Sequence, residues 1–135
     1  MLVCAALTVT GCAASSAQED LDEALRDTQA AVGSAVLAVD LLQQGRTTRT
    51  AAGVTTGDMV EQIGLVQQQI LDVPAETAEL RHLRHRSQLV VTEALVAVQD
   101  TEDVLAESGD VAGSRDALVQ AQRALATTAA AVGGR

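Results

Sequence analysis

Glu79-Leu80-Arg81-His82 is a Glu-x-x-His element, a spacing that presents a carboxylate and an imidazole to one metal ion from a single helical face. His85, the only other histidine, follows three residues later. Arg81, Arg84 and Arg86 are interleaved with these groups and form the one local concentration of positive charge. Two thiols, Cys4 and Cys12, lie near the N-terminus, and no cysteine follows residue 12 to act as a nucleophile or zinc ligand. The chain has no Gly-x-Ser-x-Gly and no Gly-rich phosphate loop. The acids Glu102, Asp103 and Glu107 crowd one segment and read as solubilising surface. No arrangement of an enzyme is present in these motifs.

The helix carrying Glu79 decides how its neighbours are read. At 100° per residue, His82 lies roughly 130° and His85 roughly 170° from the centre of the Leu80–Leu83 apolar stripe. Both therefore sit on the polar side, where a solvated face accounts for them. Ferritin-like bundles use two Glu-x-x-His elements and a glutamate from each remaining helix, all pointing inward. This chain has one such element, so a metal or redox protein is the secondary reading, and no metal or other cofactor is assigned.

Val9-Thr10-Gly11-Cys12 closes the N-terminal apolar run that starts at Leu2. It resembles the lipobox of bacterial lipoproteins. The resemblance implies that Cys12 receives a diacylglyceryl group through its thiolate and that residues 1–11 are a signal peptide removed before it. Secretory signals begin with positive charge, and none precedes Leu2 here; an upstream start codon would supply it. Residues 12–18 are small and polar, the composition of a flexible tether, leaving 19–132 as one domain.

Composition narrows the partners. Eighteen acids face nine arginines, with no lysine, for a formal charge of −9. An acidic chain repels phosphate backbones, which excludes nucleic acid as a natural partner. No Phe, Tyr or Trp occurs, so stacking on bases or sugars and aromatic cation cages are also excluded. Hydrophobic residues make up 47% of the chain, enough for a core of Leu, Val, Ile and Ala. No apolar run approaches the roughly 20 residues of a membrane-spanning helix.

Apolar residues recur at alternating spacings of four and three, the signature of one buried helical stripe. Leu21, Leu25, Thr28, Val32, Ala35, Val39 and Leu42 mark the first, which Gly45 ends. Met59, Ile63, Val66, Ile70 and Val73 mark the second, with Thr56 or Asp58 as N-cap. The third runs from Leu80 through Leu83, Ser87, Val90, Val91, Ala94, Val98 and Thr101 to Leu105. The fourth carries Val111, Ser114, Leu118, Ala121, Leu125, Thr128 and Val132. The spacing predicts helices over about 19–44, 58–73, 75–107 and 110–132, with Pro74 opening the third and residues 45–57 the longest loop. Short connections favour antiparallel neighbours, so the fold class is all-α, an up-down-up-down four-helix bundle. Leu25, Ile63, Leu83, Val98 and Leu125 are expected in its core. The third helix, about 50 Å against about 24 Å for the second, needs cover from the 45–57 loop or a partner.

Together these observations favour a lipid-anchored, all-helical protein on the outer face of a bacterial cytoplasmic membrane, with a binding or structural role. The alternatives are the ferritin-like metal protein and a cytosolic helical adaptor whose N-terminus is mis-assigned. Partners in the first case are the membrane, through the lipid, and an envelope protein or anionic wall polymer. Arg81, Arg84 and Arg86 are the candidate contact for an anionic surface, although pairing with acids of neighbouring helices is the favoured account of them.

Overall fold

Each stripe builds one helix, and none can bury its apolar residues alone. The computed structural model describes residues 11–134, with side chains from residue 14 onward. They form α1 (Gly11–Gln43), α2 (Arg49–Asp72), α3 (Ala78–Ala106) and α4 (Ala112–Gly133), with no strand among the described residues. Side-chain bonds between chain-distant residues fix the directions. Arg115 at the start of α4 meets Asp40 near the end of α1, and Gln18 near the start of α1 donates to the Val132 carbonyl at the end of α4. Midway along α2 and α3, Gln67 Nε2 donates to Thr92 Oγ1 at 3.0 Å. The four helices thus form an antiparallel bundle in which each packs on its two neighbours.

The two diagonals differ. α1 also packs on α3 across the bundle, whereas α2 and α4 do not meet. Residue size along the stripes explains this. α1 carries Thr28 and Ala35 in the middle of its stripe, and α3 carries Ser87, Ala94 and Thr101 at seven-residue intervals, all fully buried. α2 and α4 place Ile63, Ile70, Leu118 and Leu125 at the corresponding depth, also fully buried. Small side chains let one pair of backbones approach, and large ones hold the other pair apart. A second small series on α1, Ala17, Ala24, Ala31 and Ala38, lies on the flank turned toward α2, where Asp20, Glu23, Ala24 and Asp27 line a cavity together with Gln69 and Asp72.

All five expected core residues, Leu25, Ile63, Leu83, Val98 and Leu125, are buried. Three helix starts differ from the sequence reading. α2 begins at Arg49, not near 58, because Thr48 is its N-cap and accepts the Ala51 N–H at 3.2 Å. Ala52 and Thr56, both buried, continue the second stripe backward at the same spacing, and the Thr56 hydroxyl bonds the Ala52 carbonyl at 3.1 Å. Residues 45–57 are therefore no long loop, and the 24-residue α2 spans about 36 Å beside the 29-residue α3 at about 44 Å. Residues 12–18 lie inside α1 rather than in a tether. Ala17 is buried, beginning the Ala24–Ala31–Ala38 series, and alanine-rich sequence readily sustains helix there. Pro74 falls in the 73–77 connection, and Thr77 caps α3 by accepting the Leu80 N–H at 3.1 Å.

Gly45 ends α1 as its spacing predicts. Its φ is +67°, its N–H bonds the Leu42 carbonyl at 3.0 Å, and the Arg46 N–H reaches back to Leu41 at 2.8 Å. At the end of α3 the left-handed position falls to Ser108 (φ +62°), and the Gly109 N–H reaches back to Val104 at 2.9 Å. The buried threonines bond their own helix, as Thr28 does to Ala24 at 2.9 Å and Thr101 to Ala97 at 2.7 Å. Ser87 differs: its Oγ is buried without a hydrogen-bond partner.

Two stability predictions follow from these positions. A Cβ at Gly45 would meet nothing, so Gly45→Ala carries only the backbone penalty, a loss of about 1–2 kcal/mol read as a lower urea midpoint. Ser87→Ala removes an unsatisfied hydroxyl and should raise stability by about 1 kcal/mol in the same titration, whereas a loss would show that the hydroxyl is bonded in solution.

Candidate functional site

The antiparallel order gathers the start of α1, the 73–77 connection, the start of α3 and the end of α4 at one end of the bundle. A cavity of about 310 Å³ there is walled by Ala14, Ser16, Ala17 and Asp20 of α1 against Pro74, Glu76, Thr77 and Leu80. Arg81, Arg84 and Arg86 belong to this end. Arg81 Nη1 donates to the Glu76 carbonyl at 2.9 Å, and Arg84 Nη1 to the Val73 carbonyl at 3.0 Å. These two arginines find partners in the backbone of the connection, which charge-pairing logic does not foresee. Val73 is the C-cap of α2, so Arg84 also places positive charge where the α2 carbonyls converge.

His82, His85 and Arg86 are exposed on the outward face of α3. Leu89, 53% exposed, continues that face, and Leu71, 52% exposed, stands on neighbouring α2. Arginine, histidine and leucine thus alternate on one surface. The α1–α2 groove at the same end is acidic, with Asp20, Glu23, Asp27 and Asp72 along it. Both histidines turn away from the bundle interior, and among the described residues no group of three or more His, Cys, Asp or Glu is placed to share an ion. The Cys12 side chain and the expected signal residues 1–10 lie outside what the structure describes.

The far end is organised by two other arginines that sequence spacing does not single out. Arg115 Nε meets Asp40 Oδ1 at 2.5 Å, with Nη2 3.5 Å from Oδ2. This hydrogen bond, and next the carboxylate charge, strengthen the guanidinium's hold on its proton. Arg49 spans the end of α3, donating to the Val104 carbonyl at 3.3 Å and the Gly109 carbonyl at 3.1 Å. Beside it an open groove of about 820 Å³ runs between α2 and α3, floored by Gly53 and Gly57 and edged by Asp58, Glu61 and Glu102. Reading 45–57 as a loop hid this groove, since its floor exists only once those glycines are helical. Asp40 and Arg115 lie far apart in sequence and meet only through the up-down topology.

No protein family, curated protein or solved structure matches this chain.

Proposed function

We propose that this chain is a lipid-anchored helical protein of a bacterial cell envelope, held at the outer face of the cytoplasmic membrane and acting by binding rather than catalysis. The observation that carries the reading is Val9-Thr10-Gly11-Cys12 at the close of an apolar run, with Gly11 and Cys12 in the first turn of α1. Two structural facts support it. No helix among the described residues is long and apolar enough to cross a membrane. α1 runs unbroken from Gly11, and Ala17 is already buried, so a lipid on Cys12 would sit about 8 Å along the axis from the first core residue. The anchor would then hold a particular end of the bundle at the bilayer instead of a freely tumbling domain.

The intact mass of the membrane-extracted protein tests this reading. The mass should correspond to a chain beginning at Cys12 with a diacylglyceryl group, and Cys12→Ala should yield a soluble, uncut chain. Wild-type protein recovered soluble with Met1 retained would overturn it.

A further inference from the structure

The basic residues of α3 are gathered near its start. A helix favours acids in its first turns and bases in its last. α3 has Glu79 in its first turn, as that rule prefers, but Arg81, Arg84 and Arg86 follow directly, and Glu102 and Asp103 lie near its end with no basic residue in the last turn. Arg84 serves the C-cap of α2 and Arg81 the connection, whereas Arg86 stands exposed. The order separates Arg81 from Asp103 by about 33 Å, far beyond the roughly 8–10 Å over which salt screens a surface potential.

We propose that the outward face of the first three turns of α3 seats on the anionic phospholipid headgroups of the membrane that holds the chain. The choice of end rests on the lipid-anchored reading, because the start of α1 and the start of α3 share it. Three observations support the contact itself. Arg81 is held by the Glu76 carbonyl, and a guanidinium has five N–H donors, so its remaining donors are pre-positioned at the surface. Arg86, His82 and His85 are exposed beside it. Leu89 on the same face supplies the apolar contact that interfacial helices pair with arginine. Glu79 and Glu93 also stand exposed on that side of α3, and the arginines outnumber the acid within its first three turns, whereas Asp20, Glu23 and Asp27 give the α1–α2 flank only negative charge, so an anionic surface favours the α3 side over the other. The acidic end of α3 is then held outward, and the bundle stands on the membrane with α3 leaning inward.

Vesicle sedimentation of the full chain carrying Cys12→Ala tests this without the lipid. Binding to phosphatidylcholine vesicles containing phosphatidylglycerol should exceed binding to phosphatidylcholine alone and should weaken with added salt. Any contribution of the apolar N-terminal segment appears equally on both vesicles and cancels. Arg81→Glu with Arg86→Glu should reduce the anionic component by about tenfold or more. Arg86→Glu alone, at an exposed position, should show part of that loss with an unchanged melting temperature. Arg46→Glu, the same charge change on an exposed residue of the far end, should leave binding unaltered. Equal binding to both vesicles, or equal losses from Arg46 and Arg86 reversal, overturns the proposal. So does binding to an isolated phosphate-bearing wall polymer with none to anionic vesicles. Failure to find lipid on Cys12 in cells would refute the anchor while leaving this vesicle result to stand or fall separately.

Discussion

The close approach of α1 and α3 across the bundle is the contact on which the rest of the structure depends. Four helices with equal side chains would surround a square core and leave both diagonals open. Here Thr28 and Ala35 on one helix, and Ser87, Ala94 and Thr101 on the other, are small enough for one diagonal to close. The bundle becomes a rhombus in section, with α2 and α4 at the wide corners and their isoleucines and leucines filling the space on either side. A core without any aromatic residue can reach interior packing density in this way, because no central space remains for a larger ring to fill.

Closing that diagonal lets α1, like α3, touch every other helix, and this bears on the N-terminus. α1 is held along its length by α2, α3 and α4, so its first turns continue the bundle. The α2–α3 hairpin is braced at both ends by arginine: Arg84 on the last carbonyls of α2, and Arg49 on those of α3. At the far corner Arg115 ties α4 to Asp40 of α1. Few cations are present, and several of them hold helix ends. Those left on the surface at the start of α3 are therefore conspicuous in a chain of net charge −9.

The buried positions were legible in the sequence wherever the stripe was built of large residues. Leu21, Leu25, Val32 and Val39, or Leu118 and Leu125, announce themselves by alternating spacings of four and three. The start of α2 did not, although Ala52 and Thr56 keep the same spacing, because alanine and threonine add little hydrophobic contrast and Gly53 and Gly57 mimic a loop. The first turns of α1 were obscured in the same way, with Ala14 and Ala17 reading as tether. Small residues on the stripes were visible, but the sequence does not say which pair of helices they bring together. Of the candidate surface, Arg81, Arg84 and Arg86 could be named from spacing alone. Their carbonyl partners, and their placement at the same end as the start of α1, required the topology. Leu71 and Leu89 became part of that surface only when the packing left them outside.

The central claim is that small residues close the α1–α3 diagonal, and enlarging one of them tests it most directly. Ala94 is fully buried on that diagonal. Ala94→Leu, followed by urea unfolding, should lose about 1–3 kcal/mol, since the added volume must push two packed backbones apart. An unchanged or higher midpoint would mean that room for a leucine exists at the centre of the bundle, and the diagonal contact would not be what closes it.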